Sequence, residues 1–155
     1  MKCLYATAAL LLSFALPAGA TNWGEVQQVE SVIERLGAKI YWSRMNTGVC
    51  AERGLLGFYR PSERTVYMCQ QAIRDSGDSL ISTLRHEGWH AVQHLCNNSR
   101  AVLSDDKIRA MISHSDKRSL RSDYDADMHR LEAEARAVER IPTPAYLRGV
   151  NHYCS

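Results

Sequence analysis

The chain has 155 residues, 45% of them hydrophobic, with 19 basic against 17 acidic side chains. That length suits one domain around a single core, and the near-neutral balance leaves no electrostatic footprint for a nucleic acid or an anionic membrane.

A leader comes first. Met1-Lys2 supplies a positive start, Leu4 to Leu16 is almost wholly apolar, and Ala18-Gly19-Ala20 is a small-residue cleavage site, which together describe a secretory signal peptide over residues 1–20. The apolar run is too short to span a bilayer as a helix, and Thr21 stands where a lipoprotein signal needs a cysteine. Residues 21–155 are then one exported domain, secreted or periplasmic, with no membrane insertion. Its four cysteines, Cys50, Cys69, Cys96 and Cys154, read as two disulfides with three possible connectivities. Position along the chain favours Cys50 with Cys69 around a hairpin and Cys96 with Cys154 across the C-terminal half. A four-cysteine zinc site lacks the closely spaced C-x-x-C pairs it needs.

Trp23 to Leu36 carries Val26, Val29, Ile33 and Leu36 at helical spacing, with Asn22 as cap and Gly37 as stop. Lys39 to Trp42 reads as a strand. Leu55 to Tyr59 and Thr65 to Met68 are apolar, aromatic and β-branched, and the polar turn from Arg60 to Arg64 between them predicts a short antiparallel hairpin or meander. The next helix is expected to follow that sheet directly. It runs from about Ser79 to Cys96, capped by Asp78 or Ser79, with Leu80, Ile81, Leu84, Ala91, Val92 and Leu95 on its apolar face.

Inside this helix lies His86-Glu87-Gly88-Trp89-His90, an HExxH string. Residues four apart on a helix share a face, so both imidazoles can reach one ion while Glu87 addresses its open side. Zinc with three protein ligands acidifies water to a pKa of about 7, and an adjacent carboxylate can take the proton as hydroxide attacks a carbonyl. Trp89, off that face, is expected in the core. Two ligands do not complete the site. Gln93 and Cys96 occupy the places where the metzincin pattern has glycine and a third histidine, and His94 is about 12 Å from His86 along the axis, too far to share an ion.

Asn97 to Ser99 ends the motif helix, Ser104 caps a short helix through His114, and residues 115–122 read as a polar connector. A long helix is predicted from Asp123 to Arg140, stopped by Pro142 and Pro144 and followed by a short tail. Its apolar face runs through Tyr124, Met128, Leu131, Ala135 and Val138, with Glu132 and Glu134 on opposite flanks. Periodicity does not choose between these two carboxylates as the third ligand. The elements together predict an α+β domain: an N-terminal helix, a short antiparallel sheet, the HExxH helix and a downstream helix bearing glutamate.

With HExxH followed by Glu132-Ala133-Glu134-Ala135 on a later helix, residues 54–140 resemble the gluzincin zinc metallopeptidases, and the size is similar to their minimal, single-domain members. The resemblance implies a zincin-like fold, zinc held by His86, His90 and Glu132, and Glu87 as the catalytic base. It also implies a peptide or protein substrate, with Thr65 to Met68 as the rim strand that pairs with it. Arg136 departs from the pattern, since many gluzincins have Asp or Asn there to steady a ligating histidine. Tyr124, Tyr146 and His152 are available to stabilise an oxyanion, and none is assigned that role. Two other classes compete: a catalytically inactive zincin-scaffold binding or inhibitor protein, and a metal-free interaction domain stapled by disulfides. The intact Glu87 favours the enzyme, because a purely structural zinc has no use for a base.

Overall fold

The computed structural model describes residues 22–76, 79–123 and 126–155, so the leader, Asp78 and Tyr124 lie outside the described residues. Helix α1, Trp23–Arg35, begins at Asn22, whose side chain accepts from the Gly24 and Glu25 backbone N–H groups. Strand β1, Lys39–Ser43, follows, then β2, Gly57–Arg60, and β3, Thr65–Cys69. β2 and β3 form the antiparallel pair expected, joined through a single 3-10 turn at Pro61–Glu63. β1 adds to the other side of β3 in parallel, with Tyr41 opposite Tyr67, so the sheet is mixed in the order β1-β3-β2.

Helix α2, Gln70–Ser76, stands between the sheet and the motif helix, where the sequence reading placed no element. The motif helix α3, Leu80–Asn97, starts at Ser79, which accepts from the Ser82 N–H, and ends at Asn98 in the left-handed region. Ser104 caps α4, Asp105–Met111, as expected. The expected polar connector is instead part of α5, His114–Asp123: Ser113 accepts from the Asp116 N–H, a cap that starts a helix there. Helix α6 is Ala126–Val138. The expected tail is helix α7, Thr143–Tyr153, because Pro142 and Pro144 open a helix, where a missing N–H costs nothing, rather than only ending one.

The domain is α+β, with seven helices and the three-stranded sheet among the described residues. The core joins Val29 and Ile33 of α1, Val66 and Met68 of β3, Leu84, Trp89 and Val92 of α3, Ala135 and Val138 of α6, and Val150 of α7. Arg85 ties three helices together: its guanidinium donates to Glu25 at 2.9 Å, to Thr143 and to the Glu139 carbonyl at 3.4 Å. Disulfides Cys50–Cys69 and Cys96–Cys154 close the pairs that chain position favoured, the second fixing the end of α3 to the end of α7. Two disulfides are consistent with an extracellular location, and no helix among the described residues is long and apolar enough to cross a membrane.

Gly88, inside the motif, lets α1 and α7 approach α3. A Cβ there would collide with Ile33 Cδ1 and come within 2.7 Å of Tyr146 Oη. That hydroxyl is fully buried and has no hydrogen-bond partner among the described residues. Overpacking costs about 1–3 kcal/mol, and contacts this short put Gly88→Ala at the upper end; against about 1 kcal/mol gained in helix propensity, stability is expected to fall by up to about 2 kcal/mol. Tyr146→Phe removes the orphaned hydroxyl and is expected to raise stability by about 1 kcal/mol. Urea unfolding of the two variants checks both signs, and a destabilised Tyr146→Phe would mean that the hydroxyl has a partner after all.

Candidate metal centre

Helix α3 turns its apolar side to the core and its His86, Glu87 and His90 side to a cleft between β2 and α6. The imidazoles of His86 and His90 stand one turn apart, ring centroids 5.0 Å from each other and nearly perpendicular. Glu132 comes from α6 and lies between them, Oε2 at 3.3 Å from His86 Nε2 and Oε1 at 3.2 Å from His90 Nε2. One ligand atom from each residue falls within 4.8 Å of the others, so the three can hold a metal ion.

The second nitrogen of each ring is committed. His86 Nδ1 donates to Glu139 Oε2 at 2.8 Å, and His90 Nδ1 donates to Gln93 Oε1 at 2.8 Å. With Nδ1 of each ring engaged, both Nε2 atoms face the Glu132 carboxylate, so three groups able to donate to one metal ion converge in a partly buried space. Glu132 Oε2 is buried and faces the His86 ring nitrogen at 3.3 Å. Such an arrangement calls for a cation, and the donor set of two imidazoles and a carboxylate fits one.

The protonation equilibria carry the same message. Burial pushes the His86 pKa down, but the Glu132 and Glu139 carboxylates that bond to it raise it to about 10; His90 is raised as well, against its burial, chiefly by Glu132. Burial acts to raise Glu132, yet bonds from both histidines take it well below the usual carboxylate range. The cluster therefore holds positive charge, as protons where no metal ion is bound.

Glu87 is buried beside the pair. Burial raises its pKa, while His86, His90 and a hydrogen bond from the Tyr59 backbone N–H lower it in part. Its side chain and the backbone of β2 come close because residue 57 is glycine: a Cβ there would be 2.8 Å from the Tyr67 carbonyl and 3.1 Å from Glu87 Cγ. The sequence order Gly57-Phe58-Tyr59 thus sets how near the strand runs to the carboxylate.

Glu134 takes a different role from Glu132. It is fully buried, accepts from Gln93 Nε2 at 2.7 Å, and its other oxygen accepts from the backbone N–H groups of Val102 at 2.8 Å and Leu103. Gln93 also donates to the Leu131 carbonyl at 3.0 Å. One glutamine therefore orients His90 and joins α3 to the helix that carries Glu132.

Other expectations sort themselves by position. Arg136 points to Asp116 of α5, at 3.7 Å, alongside Arg140 at 2.7 Å. The residue that steadies His86 is Glu139, two helical turns beyond Glu132 on the same face, a spacing visible in the sequence. Gln93, three residues after His90, was legible in the same way. Thr65 to Met68 is not an edge: β3 lies between β1 and β2 with both of its sides paired, so it cannot take up a further chain, and the strand that borders the cleft is β2. His94 lies outside the triad and bonds through Nδ1 to the Tyr59 hydroxyl at 2.9 Å. Tyr146 is buried beneath Gly88, away from the cleft, His152 is exposed, and Trp89 is in the core.

Residues 25–155 match the family described as Domain of unknown function (DUF8637). The chain belongs to that family. In this DUF8637 domain the matched segment contains every member of the triad together with Glu87, Gln93, Glu134 and Glu139. No curated protein matches the chain, and no solved structure does.

Proposed function

We propose that this protein is an exported zinc metallopeptidase, gluzincin-like in its ligand set. One observation carries the reading: His86 Nε2, His90 Nε2 and Glu132 converge beside the buried carboxylate of Glu87, at a cleft. Two neutral imidazoles and one carboxylate suit zinc and leave a fourth position open, which is the pattern of a catalytic rather than a structural site. When bound, zinc would polarise the substrate carbonyl and acidify water.

The chain's own residues do the remaining work. Glu139 and Gln93 fix the two imidazoles with Nε2 toward the triad. Glu87, its pKa raised by burial, takes a proton from the attacking water and gives it to the departing amine nitrogen. The backbone of β2 aligns an extended substrate across the cleft. Elemental analysis combined with chelator-sensitive cleavage of a peptide library tests the reading, and stoichiometric zinc without cleavage would instead support a non-catalytic binding or inhibitor protein.

Metal-free protein is expected to show a distinctive pH dependence. A folded His86 pKa of about 10 against an unfolded value of 6.5 means that its stabilising contribution is complete below pH 6.5 and is lost as pH rises through about 10. Chelator-treated protein should therefore lose thermal stability from about pH 7 to 10, and zinc-loaded protein should not, since the ion replaces the proton. Parallel melting curves with and without zinc would expose the error if both preparations behaved alike.

A further inference from the structure

Resting on the metal site of that reading, we infer that Arg140 and Asp116 are positioning residues for the zinc ligand His86. They act on it through Glu139, so that α5, a helix with no ligand of its own, sets how firmly the ion is held. The line of contacts is continuous. Asp116 takes the Arg140 fork end-on, with Nη1 at 2.7 Å from Oδ2 and Nη2 at 2.9 Å from Oδ1. The Nε edge of the same guanidinium lies 3.6 Å from Glu139 Oε1, and Glu139 Oε2 lies 2.8 Å from His86 Nδ1. Arg140 and Glu139 thus each spend one side on the neighbour away from the metal and turn the other toward it.

Glu139 needs holding because of where it stands. Helix α6 ends at Val138, so Glu139 and Arg140 occupy the turn that follows, ahead of Pro142. Two helices pin that turn. From α3, Arg85 donates to the Glu139 carbonyl at 3.4 Å, which fixes the backbone. From α5, Asp116 holds Arg140, which fixes the charge beside the Glu139 carboxylate. His86, Glu139 and Arg140 all line a polar cavity of about 560 Å³, so water reaches this pair. An ion pair open to water is worth little when its guanidinium is free to swing, and the Arg140 side chain is 47% exposed. A two-point bond to a carboxylate that is itself almost fully buried removes that freedom.

The Asp116 end is equally well built. It sits in the first turn of α5, where Ser113 donates to its carboxylate and accepts from its N–H, and Arg136 reaches it at 3.7 Å. Burial acts to raise its pKa, yet bonds from Ser113 and Arg140 hold the carboxyl below the usual range, so it stays charged. A buried carboxylate–guanidinium pair gains little stability over an apolar pair of the same size, and what it supplies instead is a fixed position. Here that position is one contact away from the group that orients a zinc ligand.

The test is a double-mutant cycle in zinc affinity, read by chelator competition on the unaltered protein, Arg140→Gln, Glu139→Ala and the two combined. Arg140→Gln is expected to weaken zinc binding by about 3- to 10-fold, less than the loss of about 10- to 100-fold expected when the group bonded to the ligand is itself removed. In the Glu139→Ala protein the same substitution should change affinity by less than about 2-fold, because nothing remains for it to act through. Asp116→Asn should match Arg140→Gln, and urea unfolding of each metal-free variant checks that it is folded in the assay. An Arg140→Gln effect of the same size with and without Glu139 overturns the proposal, since it marks a general effect on the fold. Unchanged affinity in Arg140→Gln or in Asp116→Asn overturns it too. Either result, in a protein that binds zinc and cleaves peptides, leaves the peptidase reading intact. The expected cycle without cleavage of any peptide sinks the peptidase reading alone, and a chain that takes up no zinc sinks both.

Discussion

Zinc-loaded Glu87→Gln protein is expected to keep its metal and its fold and to hydrolyse peptides about 10²- to 10⁴-fold more slowly, the range that a positioned acid and base supply. Glutamine keeps the size of Glu87 and an oxygen that accepts from the Tyr59 N–H, so the strand beside it should not move. What it removes is the ability to carry a proton from water to the amine. Steady-state kinetics and elemental analysis on one preparation check both halves. A variant with full activity would remove Glu87 from the mechanism, and one without zinc would make it part of the metal site.

The second large effect separates two glutamates two residues apart. Glu132→Ala deletes the carboxylate that contacts both imidazoles, and zinc affinity should fall on the order of 10³-fold, one ligand's share of the roughly 10–16 kcal/mol that such sites supply. Glu134→Ala leaves the Gln93 amide and the Val102 and Leu103 N–H groups without their acceptor. The Gln93 amide keeps the Leu131 carbonyl, and each of the two orphaned backbone donors costs about 1–3 kcal/mol, so this variant should lose about 2–6 kcal/mol of stability, with zinc affinity reduced mainly through Gln93. Competition with a chelator and urea unfolding of both proteins measure the two quantities. Interchanged results would reverse the roles given to the two residues.

Smaller changes in the supporting layer grade the same model of the site. Gln93→Ala and Glu139→Ala each free one ring nitrogen, and either should weaken zinc binding by about 10- to 100-fold. The chelator competition used for Glu132 reads this as well, and affinities equal to that of the unaltered protein would show that the rings are held by packing alone.

Much of the fold was legible because its signals are local. Ser79 and Ser104 cap helices where the sequence places them, the apolar spacing through Leu84 and Val92 marks α3, and the turn after Arg60 marks the β2–β3 pair. What escaped depended on distant partners or on ambiguous punctuation. The parallel pairing of β1 with β3 is a long-range contact with no local signature, and it is what turns Thr65 to Met68 into a central strand. Pro142 and Pro144 read equally well as a stop and as a start, and only the buried contacts of Thr143, Tyr146 and Val150 decide for a helix.

The site follows the same division. His86, Glu87 and His90 stand out because a helix repeats every 3.6 residues and the motif is contiguous. Glu132 and Glu134 lie at equal angles either side of the apolar stripe, and the choice between them is made by what faces each: two imidazoles on one side, and Gln93 with two backbone N–H groups on the other. Glu139 and Gln93 were spaced correctly for their partners, but a polar residue on an amphipathic helix shows its purpose only when the neighbouring helix is in place.

The central claim is most directly tested by diffraction from zinc-soaked crystals at wavelengths on either side of the zinc absorption edge. The account requires one anomalous peak about 2.0–2.2 Å from His86 Nε2, His90 Nε2 and a Glu132 carboxylate oxygen. A peak bound elsewhere, or no peak in crystals grown with excess zinc, would contradict it.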